Sequence, residues 1–440
     1  MTFYSIFYLI IAAALLLYTA RHRFDLIAVA ALCFIVYTIY CIPGTGIAGF
    51  YRPRLSPALY YSVYVQMAVI LAASVIIRSG REEKPRTPWL TDEGIRPGQE
   101  DILHRSFRLY TIVIALFALL NVATIGVSTF LSGKGSVWGK ANILYIISLY
   151  GAYPSFAYGI HKRDKFIWML SLLVELTIFI AGARAFTATL LIMIICEMGS
   201  SLWKERKGNV KLYVWGALLV LFMVLYRAVD TQVMSGDFAG VLTTLKDPAT
   251  WASALELNEP RVIIANYDYV LTHHVHFPLG DVVYRIIDFV PGMTKMIPIP
   301  LTFPEYFSNW LMAQENASAG VGGTIWGEGY AMFGWAGIPL LTAVWMALLG
   351  FANKHMDFHK PYSYFIVASA TYLSWYISRL DFNRVAQSLK VMFLCFLIWQ
   401  TIFLIQGGEV VFRRFSLLLG RPRLKRRPAW RCGSVKEVSR

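Results

Sequence analysis

Apolar residues fill this 440-residue chain in long blocks, separated by short polar gaps. A helix needs about 20 predominantly apolar residues to cross a hydrocarbon core about 30 Å thick. Spans of that kind are read at 3–20, 25–42, 58–77, 106–127, 142–160, 166–183, 185–203, 212–226, 332–351, 362–378 and 388–406. That makes eleven, within a range of ten to twelve, and the stretch after Trp326 is a candidate to lengthen the ninth. The expected fold class is an all-α polytopic integral membrane protein. Composition agrees: 57% of residues are hydrophobic and 15% charged, against about 25% charged in a soluble domain. A soluble, disordered or collagen-like chain is thereby excluded. The N-terminus turns apolar at Phe3 with no basic region before it, so a retained helix is expected there rather than a signal peptide.

Charge sets the expected orientation. The net charge is +15. Gaps 21–24, 78–105, 161–165, 204–211, 353–361 and 407–440 hold 27 Lys and Arg; the alternate gaps 43–57, 128–141, 184, 227–331 and 379–387 hold 12. Cytoplasmic loops carry the basic excess. The first set therefore reads as cytoplasmic, with the N-terminus outside and the C-terminus inside. The tail 407–440 reads as a basic anchor against anionic lipid. With no basic soluble domain, nucleic acid is not an expected partner. Cys33, Cys41, Cys196, Cys395 and Cys432 form no CxxC, so neither a disulfide framework nor a zinc site is indicated.

The domain reading is 1–226 for spans one to eight, 227–331 for one long external segment, 332–406 for the last three spans, and 407–440 for the tail. The external segment carries Trp251, Trp310, Trp326 and the Pro-rich run Met296–Pro304. It is expected to fold as short helices over the membrane surface, and loops of that length in a compact protein are usually functional.

No HExxH, GxSxG, DxD or phosphate-loop motif occurs. The chemistry-bearing candidates are external cations and a few acids. Arg184 occupies a very tight turn, Gly182-Ala183-Arg184-Ala185, between two spans. A guanidinium at that depth is costly without a partner and suits a lipid-linked phosphate through its planar fork; the alternative is a snorkelling turn residue. Arg261 and Arg285 lie in the external segment, with Glu259, Asp281 and Asp288 as alternative ion-pair partners. Arg379 and Arg384 close another turn, Ser378-Arg379-Leu380-Asp381-Phe382-Asn383, with Asp381 as structural partner. His273, His274 and His276 have poor spacing for a metal site, since no second cluster completes it; one would suit a general base, the alternative being an external polar turn. Glu328 sits in the Gly-rich stretch Gly322–Gly337 and reads as a base or as the holder of an arginine. Glu175 is an intramembrane acid.

Three of these stretches resemble one family in order and sidedness. They are the hairpin Gly182–Ala185, the external segment through Phe289-Val-Pro291-Gly292, Pro298-Ile-Pro300 and Gly322–Gly337, and the turn Ser378–Asn383. The chain resembles the bacterial oligosaccharide repeat-unit polymerases, the Wzy-type O-antigen and capsule polymerases. That resemblance implies a GT-C-like architecture in the inner membrane, with chemistry at its periplasmic face. It implies a glycan donor on undecaprenyl diphosphate and an acceptor repeat unit on the same lipid, with no cofactor, nucleotide sugar or metal. Arg184, Arg261, Arg285, Arg379 and Arg384 become the diphosphate ligands, and Glu328, His273 and His274 the catalytic candidates. A flippase and a chain-length regulator are the implied protein partners. The family commonly has about twelve spans with both ends inside, and eleven departs from that. An O-antigen ligase, which transfers glycan to lipid A core, and a transporter of the flippase kind are the rival readings. The charges gather externally and no clear repeat is seen, which speaks against the transporter.

Overall fold

The computed structural model describes residues 3–42, 55–79, 99–131, 142–180, 184–204, 237–247, 259–287, 301–315, 324–356, 358 and 360–407, plus Val214, Leu218 and Val229. The expected span 212–226 and the basic tail lie essentially outside this set. The regular elements among the described residues are all helical. They are α1 (Phe3–Ala20), α2 (Leu26–Thr38, continued by a 3₁₀ turn Ile39–Cys41), α3 (Pro57–Ser79), α4 (Gln99–Ile125), α5 (Val127–Leu131), α6 (Ile143–Lys162), α7 (Lys165–Ile180) and α8 (Arg184–Lys204). There follow α9 (Phe238–Lys246), α10 (Glu259–Thr272), α11 (Gly280–Ile287), α12 (Phe303–Glu315), α13 (Ile325–Phe333), α14 (Gly337–Asn353), α15 (Ser363–Tyr376) and α16 (Phe382–Ile405). By length and composition six stretches can cross a membrane: Phe3–Ala20, Pro57–Ser79, Glu100–Ile125, Ile143–Lys162, Ile325–Asn353 and Phe382–Ile405. Leu26–Cys41 and Ala185–Gly199 are apolar but shorter.

Helices α1, α2, α3 and α14 pack together on one side; α4, α6, α7 and α8 pack on the other, with α16 against α4 and α6. Helix α15 touches α2, α14, α6, α8 and α16 and joins the two groups. Most of its residues are buried, from Ser363 through Tyr376, as expected of a helix surrounded by others. Its fourteen residues span only about 21 Å. The turn that follows it therefore stays within the bundle.

Several polar contacts among the described residues join gaps that the charge count puts in the same set. In the basic set, Asp25 N-caps α2 through the Ile27 and Ala28 N–H groups. It also takes Arg78 at 2.8 Å and the Asn353 side-chain amide at 2.6 Å. Nearby gaps of the same set are tied by Lys162–Glu100 at 2.6 Å and by Asp164 with Arg108 and His104, each at 3.0 Å. In the other set, Asp268 on α10 accepts the backbone N–H and hydroxyl of Ser56, just before α3. Glu328 on α13 accepts the N–H of Phe382 at the head of α16.

Asp25 and Arg78 are both nearly buried, with side chains 7% and 10% exposed. Removing one partner of a buried pair strands the other charge. Asp25→Ala is expected to cost about 3–5 kcal/mol, read as a lowered melting temperature in detergent by fluorescence-detected size exclusion. Burial pushes the Asp164 carboxyl up, but the Ile167 N–H, Arg108 and His104 outweigh it and hold the group below its ordinary range. Its stabilising contribution is thus complete above the ordinary carboxylate value and is lost as pH falls through the lowered one. The melting-temperature gap between the parent and Asp164→Asn should narrow below about pH 4.

Candidate functional site

The site begins with a chain reversal. In a continuous helix, Trp326 and Trp345 would stand about 28 Å apart along the axis. Their ring centroids are 5.5 Å apart, and Trp326 also meets Phe34 of α2 at 6.4 Å. Helix α13 therefore runs back along α14. The reversal lies at Gly334, whose φ of +62° favours glycine, followed by a 3₁₀ turn to Ala336. A Cβ at Gly337 would run into the backbone carbonyl of Gly329, so two glycines eight positions apart allow the close contact. The expectation that the stretch after Trp326 lengthens the ninth span is corrected here. Although 325–353 is apolar throughout its length, it forms a hairpin whose first arm starts inside the bundle.

That first arm carries Glu328. Thr324, 2% exposed, caps α13 by accepting the Trp326 N–H. Non-helical backbone at membrane depth is tolerated where protein covers it, and Ile325 to Ala331 are all buried. Glu328 is fully buried, and its Oε2 accepts the Phe382 N–H at 2.6 Å. Asp381, 2% exposed, accepts the Arg384 N–H at 2.6 Å. Two carboxylates thus sit on the positive end of α16, where the helix dipole favours them. The same turn carries the cations. Arg379 lies over the Tyr376 ring at 5.8 Å. Arg384 reaches Asp381 at 3.7 Å and is 56% exposed.

An aromatic cluster forms the floor of this turn. Tyr376 meets Tyr372 at 5.4 Å, and Tyr372 meets Tyr150 at 5.6 Å and Phe186 at 5.8 Å. Trp375 donates to Thr189 at 3.0 Å. Phe186 lies two residues after Arg184, so the start of α8 packs onto the cluster that carries Arg379. The backbone of Arg184 opens α8; its side chain, like that of Arg285 on α11, lies outside the described residues.

The histidines stand elsewhere. His273 stacks on Tyr269 at 3.8 Å, and its Nδ1 lies 3.0 Å from the Tyr269 carbonyl. His274, at φ +49°, has Nδ1 2.8 Å from the Tyr330 hydroxyl. Residues 328 and 330 point about 200° apart around α13. His274 and Glu328 thus touch different faces of one helix and do not converge on one atom. Arg261, 6% exposed, begins α10 while His273 follows its end, about 18 Å away along the axis. The predicted residues therefore include an arginine turn with Glu328, a histidine–tyrosine pair, and Arg261 at the opposite end of α10 from the histidines.

Sequence reasoning missed Asp268, Tyr330 and Tyr376. Asp268 left a usable signal, an acid inside the otherwise apolar and aromatic run of α10. Tyr330 and Tyr376 left none that separates them from many other tyrosines. Glu175 is fully buried, with no hydrogen-bond partner for either carboxyl oxygen among the described residues, and lies in electrostatic range of Tyr145 and Tyr153. Among the described residues, no three His, Cys, Asp or Glu side chains group to hold a metal ion.

Compared with protein-family models, with curated proteins and with solved structures, the chain matches none.

The hairpin gives a direct test. Gly337→Ala should force α13 away from α14 at a cost of about 1–3 kcal/mol. The expected readout is loss of the monodisperse peak, while Gly280→Ala, where a Cβ meets nothing within 4 Å, leaves it intact.

Proposed function

We propose that the protein polymerises lipid-linked oligosaccharide repeat units at the outer face of a bacterial inner membrane, through eleven spans in a GT-C-like arrangement. The acceptor's terminal sugar hydroxyl attacks the donor's anomeric carbon, a new glycosidic bond forms as the bond from that carbon to undecaprenyl diphosphate breaks, and the hydroxyl proton leaves with the departing diphosphate. A diphosphate is already a good leaving group. It gains most from positive charge fixed where negative charge develops. One observation carries the reading: the Gly-rich stretch around Glu328 and the turn Ser378–Asn383, both parts of the family resemblance, meet through the Glu328–Phe382 hydrogen bond. The start of α8, whose backbone Arg184 opens, packs on the same aromatic floor through Phe186.

In this reading Arg379 and Arg384 bind diphosphate, with Arg184 beside them, and Glu328 is a positioning residue that holds their turn. The histidines favour the ligase as second reading, since such ligases resemble this chain in using external arginines with a histidine. A product ending on lipid A core would establish that reading instead.

The test uses purified protein, the host's undecaprenyl-diphosphate repeat unit and EDTA, without nucleotide sugar. A ladder stepping by one repeat is expected; its absence from folded protein with verified substrate overturns the polymerase reading. Arg379→Ala should slow the ladder by about 10²–10³-fold without lowering the melting temperature. Glu328→Gln keeps an acceptor for the Phe382 N–H and should retain both ladder and stability, whereas Glu328→Ala should lose both. Loss of the ladder in a stable Glu328→Gln protein would assign Glu328 as the base instead.

A further inference from the structure

Helix α11 is built inside out for a helix in water. Leu279, just before it, and Val283 and Ile286 within it are spaced four and three apart and share one face. They are 49%, 56% and 61% exposed. Asp281 and Tyr284 point the other way and are 1% and 6% exposed. A surface helix of a soluble protein turns its apolar side inward, and an aspartate is rarely buried while valine and isoleucine face out. In lipid the preference reverses: polar side chains face the protein and aliphatic ones face hydrocarbon.

Its surroundings agree. The Phe277 N–H donates to the Ala331 carbonyl at 3.0 Å. The approach to α11 therefore lies beside the end of α13, next to the exposed Phe333 and Trp335. Helix α11 itself packs on α16, a candidate span whose Phe393 and Leu397 are exposed. Helix α11 thus packs on one candidate membrane stretch, Phe382–Ile405, and is approached beside another, Ile325–Asn353, and both expose apolar side chains.

We infer that α11 is an interfacial helix embedded in the bilayer, with Leu279, Val283 and Ile286 packed against phospholipid acyl chains. It lies in the membrane surface without crossing it, as amphipathic helices with a strong apolar face do. This inference does not depend on the polymerase reading.

The test needs no substitution. The full chain is reconstituted into phosphatidylethanolamine–phosphatidylglycerol vesicles and labelled from within the bilayer by a hydrophobic carbene precursor. A parallel sample is oxidised from water by hydroxyl radicals, and both are mapped by peptide mass spectrometry. Phe393 serves as the lipid-facing reference and the exposed Asn309 region of α12 as the water-facing one. Carbene insertion at Leu279, Val283 and Ile286 at the level of Phe393, with loss of radical oxidation there, is the expected result. Oxidation without carbene insertion would put the face in water and overturn the inference. Protection from both reagents would mean that protein covers it, and would overturn the inference equally.

Discussion

A peptide N–H at the start of a helix has no partner within that helix, and inside a bundle no bulk water supplies one. The Phe382 N–H meets that constraint by bonding to Glu328, a carboxylate brought in from a separate stretch of chain. Much of the surrounding structure follows from this requirement. For Glu328 to reach Phe382, α13 must start inside the bundle and climb back along α14. For that, the chain must reverse within a few residues, which needs Gly334 and the Gly329–Gly337 contact. The short α15 keeps the turn low enough to be met. The turn that carries the arginines at 379 and 384 is then held at Phe382 by Glu328 and at Arg384 by Asp381.

The histidine–tyrosine pair stands on the other face of α13 and shares the helix without sharing the site. His274 and Phe277 both contact α13, one through Tyr330 and one through the Ala331 carbonyl. The stretch from 273 to 277 therefore acts as a strap across the end of that helix. This gives His274 a structural task that its sequence neighbourhood does not announce.

The broad architecture was legible because the bilayer imposes it through length and apolarity alone. Helices α1, α3, α4, α6 and α16 lie close to where long apolar runs predict them. Asp25, Arg78 and Asn353, which fall at gaps of the same basic set, meet in the structure. The hairpin at Gly334 was not legible: Ile325 to Asn353 is apolar on both arms, so hydropathy is the same whether the helix continues or folds back. Only the glycine spacing differs, and eight-residue glycine pairs have many other uses. Glu328 and the 378–384 turn were each visible as unusual local sequence. Their meeting was not, because a bond across 54 positions leaves no local trace. Asp268 with Ser56, 212 positions apart, was hidden for the same reason.

Asp25 adds a matter of timing. Its partners arrive at very different moments of synthesis, since Asn353 lies 328 residues downstream while Arg78 follows soon after. At about 5–20 residues per second, the amide comes on the order of tens of seconds later. During that interval the carboxylate has its guanidinium but lacks its amide, and α1–α3 stand without the α14 flank that completes them. The last ligand of Asp25 thus records that α14 has arrived, so the clamp closes only once that helix is in place.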